Sequence, residues 1–335
     1  MHSLLPIFPL AALALAQQQP QVPIAPDTPR PAGPLTLDTI PRLGYGTWNL
    51  KGDNVSDAVS LAIQTGYRHI DCAAIYRNEK EVGRGIADGL AKAGLQREDI
   101  WVTSKLWNDH HGAASNVEAA IRQTLSDLDL TYLDLYHMHW PVSSTPDPEI
   151  EYLDTWDAMT TLLPAQQNLT RHLGISNFSP AQVARLLAHS PTNTPSVHQM
   201  ELHPYLPQTA WLAFHRLNNI HVTAYSPFAG TNPTYSPGAT VPLLSNPVIT
   251  KLAEKRDCTP AQVALAWGLA RGTSVIPKAQ HAEYIESNFE VEGCELKEKD
   301  LKAVDGLGAE PKRFNDPSKS WGVGLYKGLE DAGGK

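Results

Sequence analysis

The feature that most constrains the fold is a repeat of short apolar runs alternating with amphipathic helical stretches, from residue 43 onward. The period averages roughly 30 residues. Eight apolar runs occur, at residues 43–47, 67–73, 100–106, 133–140, 172–176, 196–202, 220–225 and 273–277. Between them, helical spacing is clear at Val82, Ile86 and Leu90. Buried strands that alternate with helices predict a parallel sheet, and eight units fit a closed (β/α)8 barrel.

A doubly wound open sheet is the competing architecture. It would normally carry G-x-G-x-x-G after the first strand, and the sequence GYGTWNL at residues 44–50 does not match. We therefore predict one barrel domain over residues 35–335. Residues 34–44 are predicted to form a hairpin that seals its lower end, and the irregular tail after Gly308 is predicted to lie over the upper mouth as a substrate loop.

The amino terminus has a different composition. Residues 1–16 form a short apolar run that ends in Ala14-Leu15-Ala16, a cleavage pattern typical of a signal peptide, although the run contains no Lys or Arg. A disordered extension is the alternative. Residues 17–34, rich in Gln and Pro, predict an unstructured linker. Glycosylation sequons occur at Asn54, Asn168 and Asn177, but chance matches to this pattern are common.

The charge and cysteine content exclude several classes of function. Lys plus Arg number 27 and Asp plus Glu 35, a net charge of −8, so no basic field is available to attract nucleic acid or anionic lipid. Cys72, Cys258 and Cys294 are odd in number and lack C-x-x-C spacing, which suggests neither a disulfide framework nor a metal site. Cys72 is predicted to be a small packed apolar residue.

Ionisable side chains follow three consecutive predicted strands. Asp71 ends the second run and Tyr76 begins its loop, Lys105 ends the third run, and His139 lies at the end of the fourth. The carboxyl ends of barrel strands meet at one rim, where functional groups of such barrels lie. Each residue alone is typical of an ordinary cap or surface charge. Together they indicate a site.

These four residues make chemical sense as a unit. A phenol has a pKa near 10, and a neighbouring ammonium favours the phenolate, so Lys105 is expected to lower the pKa of Tyr76, with Asp71 as the counter-ion of the lysine. His139 is expected to hydrogen-bond a substrate oxygen. The cluster suits donation of a proton to an oxygen that becomes negative. Since no activated Ser or Cys is evident, the attacking species is expected to come from a cofactor, as hydride.

The sequence resembles the aldo-keto reductase superfamily over residues 40–320. The shared segments, in the family's order, are GYGTWNL, GYRHIDCAAIYRNEKEVG, SKLWNDHH, HMHWP, GISNF, VHQMELHPY, AYSPFAG and SVIPK. The resemblance implies an NAD(P)H-dependent reductase of aldehydes or ketones on a (β/α)8 barrel. Its catalytic tetrad corresponds to Asp71, Tyr76, Lys105 and His139, with Tyr76 as the proton donor. Short reductases of this family are often monomers.

The resemblance also implies a cofactor site and a substrate mouth. The nicotinamide carboxamide would contact Ser176, Asn177 and Gln199, and its ring would stack on Tyr225. The remaining cofactor-binding positions correspond to Gly46, Thr47, Trp48, Asp71, Ser226, Pro227, Lys278 and Asn288. Aromatic positions lining the family's substrate mouth correspond to Trp48, Trp107 and Trp140, beside His139, and favour apolar or aromatic carbonyl substrates.

The adenosine end departs from the family pattern. Lys278 is present, but Ala279 replaces a common Ser or Asn, and Tyr284 occupies the position where NADPH-preferring members usually have Arg. Loss of a bidentate guanidinium removes a strong phosphate anchor. Ser287 replaces a frequent Glu, while Asn288 is retained. NADPH is favoured and NADH is the alternative.

Two other functions are less consistent with the sequence. A nucleotide-binding redox sensor on the same barrel would need no physiologically important turnover, and the intact tetrad disfavours it. A glycosidase needs two opposed carboxylates at strand ends, and only Asp71 fits.

The cofactor and the amino terminus predict different cellular locations. Reduced nicotinamide cofactors are held inside cells, whereas a cleaved signal peptide would direct the chain to the secretory pathway, where a glycan on Asn177 would block the nicotinamide.

Overall fold

Eight parallel strands form the centre of the computed structural model, which describes residues 37–52, 54–144, 151–231 and 240–329. The predicted signal peptide and linker lie outside these residues. The strands pair in sequence order, as β1 (Tyr45–Gly46), β2 (His69–Asp71), β3 (Trp101–Leu106), β4 (Leu133–Met138), β5 (Thr170–Ser176), β6 (Val197–Glu201), β7 (His221–Tyr225) and β8 (Ser274–Val275). Each lies within a predicted apolar run, except that β5 begins two residues earlier than predicted.

The sheet closes on itself. Leu43, just before β1, forms a parallel bridge with Val275 of β8. The Gly44 N–H donates to the Val275 carbonyl at 2.8 Å, and the Gly46 N–H donates to the Pro277 carbonyl at 2.9 Å. These bonds join the first and last strands, which confirms the predicted barrel.

Helices follow the strands around the outside of the barrel. Their bounds are α1 (Asn54–Thr65), α2 (Glu79–Ala93), α3 (Ala114–Leu128), α4 (Tyr152–Thr160), α5 (Pro180–His189), α6 (Thr209–Leu217), α7 (Pro247–Arg256), α8 (Pro260–Ala270), α9 (Ala282–Phe289), α10 (Glu298–Asp305) and α11 (Ser318–Trp321). Helix α8 shows how local sequence starts a helix. The Thr259 hydroxyl accepts a hydrogen bond from the Gln262 N–H. Pro260 has no backbone N–H, which costs nothing in the first turn because an N–H there would have no acceptor within the helix. None of the helices in the described residues is long and apolar enough to cross a membrane.

The lower end of the barrel is filled by apolar side chains. Ile40, Trp101, Leu135 and Val197 form a buried cluster there. Above this cluster the interior is unusually polar for a barrel, because strand positions facing inward carry the buried side chains of His69, Thr103, His137, Thr223 and Ser274 and the half-buried His221. Gly174 makes room for one of them, since a Cβ there would lie 2.3 Å from His137 Nδ1.

The predicted hairpin is wrong for the residues that the structure describes. Leu37–Thr39 form a 3-10 helix, and Leu43 pairs in parallel with β8. Ile40 is buried in the apolar cluster at the lower end. The segment therefore seals the barrel with a single apolar side chain and a closing bridge.

The expectation that the cysteines form no disulfide is also wrong. Cys258, just before α8, is bonded to Cys294, after α9, with Cα atoms 5.5 Å apart and a sequence separation of 36. Count and spacing mislead here because the contact depends on the packing of α8 and α9. Cys72 remains free and fully buried, as predicted.

Candidate active site

A cavity of about 330 Å³ opens at the carboxyl ends of the strands. Most of the residues predicted from the sequence line it, namely Gly46, Trp48, Asp71, Tyr76, Trp107, His139, Trp140, Ser176, Asn177, Gln199, Tyr225, Ser226, Pro227 and Lys278. Lys105 and Thr47 lie immediately behind the wall and are fully buried. Sequence reasoning missed the apolar lining residues Ile75, Phe228, Ala229 and Ile276.

The buried lysine joins the catalytic candidates together. Lys105 Nζ donates to Asp71 Oδ2 at 2.6 Å, to the Cys72 carbonyl at 2.7 Å and to Tyr76 Oη at 3.2 Å. The other carboxylate oxygen, Asp71 Oδ1, accepts from Gln199 Nε2 at 2.6 Å. Since the ammonium has three protons, all three are used. The phenolic oxygen accepts from Lys105, so the proton of Tyr76 is left for another acceptor.

The protonation states follow from burial and from this pairing. Burial works against the charge of Lys105, but Asp71 and Tyr76 outweigh it and raise the pKa of Lys105 to about 12. Burial also raises the pKa of Tyr76 to about 12, while the Lys105 charge acts in the opposite direction. The expected direction of the lysine's influence is therefore present, but the expected net lowering is not, because desolvation of the phenol is larger.

The loop that carries Tyr76 is held against its neighbours. Ala74–Tyr76 form a 3-10 turn that ends at Arg77 with a left-handed φ of 57°. Asn78 then donates to the Thr47 carbonyl at 2.9 Å, and the Thr47 hydroxyl donates to the Asp71 carbonyl at 2.8 Å. The loops after β1 and β2 are thereby tied together, which sets the position of the phenol.

His139 is surrounded by aromatic rings at the mouth. Its ring is 5.9 Å from that of Tyr76 and 5.1 Å from that of Trp107, both edge-on. It is 8% exposed, and burial, followed by the Lys105 charge, lowers its pKa well below the ordinary value. A neutral imidazole carries one N–H, so His139 can donate a single hydrogen bond without bringing a second positive charge to the site.

Asn177 is the most constrained residue of the predicted carboxamide group. Its backbone is left-handed, with φ 64°. Its Nδ2 donates to the His139 carbonyl and to Ser176 Oγ, each at 3.0 Å. Its Oδ1 accepts from Tyr225 Oη at 2.7 Å and from Tyr326 Oη at 3.3 Å. The side-chain amide of Asn177 therefore connects the ends of β4, β5 and β7 with the carboxyl-terminal tail.

The tail over the mouth is anchored by a buried carboxylate. Glu201, at the end of β6, accepts from the backbone N–H groups of Phe314 and Asn315 at 2.8 and 3.0 Å. Asn315 in turn donates to Tyr225 Oη at 3.0 Å. Further along, Trp321 packs edge-on against Trp140 at 4.9 Å. The tail supplies Asn315, Pro317 and Trp321 to the cavity wall. Their only sequence signal was the segment RFNDPSKSWGVGLY.

The predicted adenosine end has a different character. Lys278 is exposed, and Ala279 is buried with its carbonyl accepting from the Tyr45 hydroxyl. Tyr284, on α9, is 56% exposed. Asn288 is buried on the same helix and does not line the cavity. These residues lie on one loop and one helix, so the structure places them on elements distinct from the strand ends that carry the tetrad.

The structure is a barrel in which a buried lysine, a carboxylate, a phenol and a neutral imidazole lie close together at the carboxyl ends of the strands. The aldo/keto reductase family matches residues 42–309. An uncharacterized oxidoreductase of Schizosaccharomyces pombe is 42% identical over 309 residues, covering 87% of this chain and 92% of its own. D/L-glyceraldehyde reductase of Hypocrea jecorina is 37% identical over 322 residues, covering 89% and 95%.

A solved structure agrees with these sequence matches. The crystal structure of an aldo-keto reductase of Bombyx mori in complex with NADP is 35% identical, with a TM-score of 0.79, and covers 86% of this chain and 95% of that chain. The chain belongs to the aldo/keto reductase family, which confirms the resemblance found in the sequence. It is an oxidoreductase of a family that reduces carbonyl compounds with nicotinamide cofactors.

Proposed function

We propose that this chain reduces small aldehydes or ketones to alcohols with NADPH, and that Tyr76 donates the proton. The observation that carries this proposal is the arrangement around Lys105, whose ammonium donates to both Asp71 and Tyr76 at the edge of the cavity. Because the phenol oxygen accepts from Lys105, its own proton remains available to a carbonyl oxygen bound in the cavity.

The residues at the cavity floor suit a nicotinamide. Ser176, Asn177 and Gln199 present hydroxyl and amide groups that match the donors and acceptors of a carboxamide, and the half-exposed ring of Tyr225 offers a flat face. When bound there, reduced nicotinamide supplies hydride to the carbonyl carbon.

Tyr76, Lys105 and His139 act on the carbonyl oxygen. His139 and Tyr76 both border the cavity, with their rings 5.9 Å apart, so one oxygen can accept from both. As negative charge develops on that oxygen, the proton of Tyr76 moves to it, and Lys105 stabilises the phenolate that remains. Asp71 keeps Lys105 charged and oriented. The neutral state of His139 allows it to donate without competing for the proton.

The lining supports a substrate with an apolar body. Trp48, Trp107, Trp140 and Trp321 border the cavity above the tetrad. Their indole faces exclude water from the reacting carbonyl and contact aliphatic or aromatic groups. The similarity to a glyceraldehyde reductase supports small aldehydes as the first compounds to assay.

Lys278 and Tyr284 bear on the choice of cofactor. Lys278 is a point charge suited to the 2′-phosphate of NADPH, and the exposed ring of Tyr284 can stack on adenine, but Tyr284 cannot form the bidentate contact of an arginine. NADPH is proposed as the preferred cofactor on the strength of Lys278, with NADH also used.

The proposal is tested by titrating the purified full chain with NADPH and with NADH, followed by turnover on a panel of small aldehydes and ketones. Quenching of tryptophan fluorescence reports binding, because Trp48 and Trp107 border the cavity. Binding with turnover supports the reductase. Tight nucleotide binding without turnover on any carbonyl would contradict it and favour a nucleotide-dependent sensor.

A further inference from the structure

The Cys258–Cys294 disulfide and the cofactor chemistry point to different cellular environments. Disulfides form and persist mainly in oxidising compartments, including the lumen of the secretory pathway. Here the bond joins two elements that already pack together, since Gln262 Nε2, on α8, donates to the Ser287 carbonyl, on α9, at 2.8 Å. If the chain folds in such a compartment, its sequons become substrates for glycosylation.

The three sequons differ in their surroundings. Asn177 is 2% exposed, and both hydrogens of its Nδ2 are donated within the active site, so a sugar on that nitrogen is incompatible with the folded site. Asn54 is exposed at the first residue of α1, in the connection from β1 on the cavity side of the barrel. Asn168 is exposed two residues before the start of β5. It therefore lies at the amino ends of the strands, opposite the cavity.

Asn168 is also free to be modified without loss of structure. Its side-chain amide has no hydrogen-bond partner among the described residues, whereas its backbone N–H donates to the Leu163 carbonyl at 3.1 Å. The next residue, Leu169, donates to the Leu162 carbonyl at 2.9 Å, and the Thr170 hydroxyl donates to the His172 carbonyl. The turn is held by its backbone and by Thr170, so replacing one amide hydrogen of Asn168 with a sugar breaks no bond that holds it.

We propose that Asn168 carries an N-linked glycan, and that the chain acquires it in the oxidising compartment where Cys258 and Cys294 pair. In the transfer, the bond between the anomeric carbon of the oligosaccharide and its polyprenyl diphosphate carrier breaks. A bond from that carbon to Asn168 Nδ2 forms, Nδ2 gives up one proton, and the diphosphate leaves. The glycan covers the end of the barrel that is closed by Trp101 and Leu135, and carbonyl reduction proceeds at the other end.

The experiment uses the full chain, residues 1–335, expressed in a yeast that makes its own N-glycans. Gel mobility with and without endoglycosidase is compared for the wild type, Asn168→Gln and the matched variant Asn54→Gln. We expect the wild type and Asn54→Gln to lose the mass of a glycan on digestion, and Asn168→Gln to lose one glycan fewer than the wild type. The assignment is overturned if Asn168→Gln loses as much mass on digestion as the wild type, which would place the glycan on another asparagine, or if the wild type loses none.

Peptide mapping of the wild type makes the result independent of how well a variant folds. Enzymatic release of the glycan in ¹⁸O-labelled water converts the modified Asn168 to labelled Asp, and Cys258 and Cys294 are expected to resist alkylation until reduced. A wild-type chain with unlabelled Asn168 would overturn the proposal, as would freely alkylated Cys258 and Cys294. Neither outcome bears on the reductase, whose turnover is measured separately on the same samples.

Discussion

The two ends of the candidate dinucleotide cleft are built on different principles. At the nicotinamide end, Asp71, Lys105 and Asn177 lie on or next to strand ends and are at most 2% exposed. Lys105 donates a hydrogen bond to Asp71, and Asn177 donates one to the backbone carbonyl of His139. At the adenosine end, Lys278 is exposed on a loop and Tyr284 is 56% exposed on α9.

This difference indicates which properties of the enzyme can change independently. A buried residue with shared partners cannot be replaced without leaving another polar group unpaired, so effects at the nicotinamide end should be large and coupled. An exposed residue interacts mainly with the ligand. Changes at the adenosine end should therefore alter cofactor choice by small, separable amounts.

The largest effect is expected from removing one hydroxyl at the nicotinamide end. Tyr76→Phe should lower kcat by about 10²- to 10⁴-fold, because a positioned proton donor contributes on that order, while NADPH affinity stays nearly unchanged. The matched control is Tyr136→Phe on β4, whose buried hydroxyl has no hydrogen-bond partner among the described residues and should be dispensable. Equal loss of binding and turnover in Tyr76→Phe would contradict the assigned role.

Removing the buried cation should test the coupling directly. Lys105→Met leaves the Asp71 carboxylate buried and without its cation, so the free energy of unfolding should fall by about 3 to 5 kcal/mol. The double variant Asp71→Asn with Lys105→Met should recover most of that loss, yet remain inactive. Urea unfolding measures both. A surface control, Lys302→Met, breaks only an exposed ion pair with Glu298 and should therefore change stability far less. The coupling is refuted if the double variant is no more stable than Lys105→Met alone.

Helix α9, at the adenosine end, is held by a covalent bond as well as by packing. The disulfide closes a loop across 36 residues, so reduction should lower the free energy of unfolding by about 3 to 4 kcal/mol. Unfolding by urea is compared with and without dithiothreitol, with the Cys258→Ser, Cys294→Ser variant as control. The free energy of unfolding of that variant should not change with dithiothreitol. If the wild type also shows no change, the disulfide does not form.

The high pKa of Tyr76 predicts opposite pH dependence for the two directions of reaction. With a pKa of about 12, the phenol stays protonated from about pH 6 to pH 9, so kcat/KM for reduction should be flat there. Alcohol oxidation needs the phenolate, whose fraction rises tenfold per pH unit, so its rate should rise about 100-fold from pH 7 to pH 9. Steady-state rates at saturating cofactor measure both, and an oxidation profile that levels off near neutrality would contradict this value.

The smallest effect is expected at the adenosine end. Tyr284→Arg should raise NADPH affinity about tenfold, because a guanidinium adds a charge-assisted contact to the 2′-phosphate, and leave NADH affinity unchanged. Fluorescence titration of both nucleotides measures this, with Tyr284→Phe as a control that keeps the ring. An equal change for NADH would mean that position 284 does not face the 2′-phosphate.

The strand-borne part of the site could be predicted from the sequence. Asp71, Lys105 and His139 follow consecutive apolar runs, and the parallel geometry of the barrel brings such positions to one rim. The rule is local and repeats with each strand, so it needs no knowledge of the rest of the chain. The barrel itself was predictable for the same reason.

The tail, the disulfide and the pKa of Tyr76 could not be predicted in this way. Tyr326 meets Asn177 across 149 residues, through a segment with no periodic pattern. Cys258 and Cys294 come together because α8 and α9 pack against each other, and this packing cannot be predicted from the sequence of either helix alone. For Tyr76, the charge of Lys105 was evident from the motif, but the larger cost of burying the phenol depends on the surrounding walls.

The hydrogen bond from Tyr326 to Asn177 has a consequence for how the enzyme is completed during synthesis. All eight strands and the whole family match end by residue 309, so a ribosome that has reached that point has already made every part of the barrel. Asn315, Trp321 and Tyr326 are still to come. A chain terminated at that point thus possesses every strand of the barrel but lacks the tail residues that complete the wall of the nicotinamide pocket.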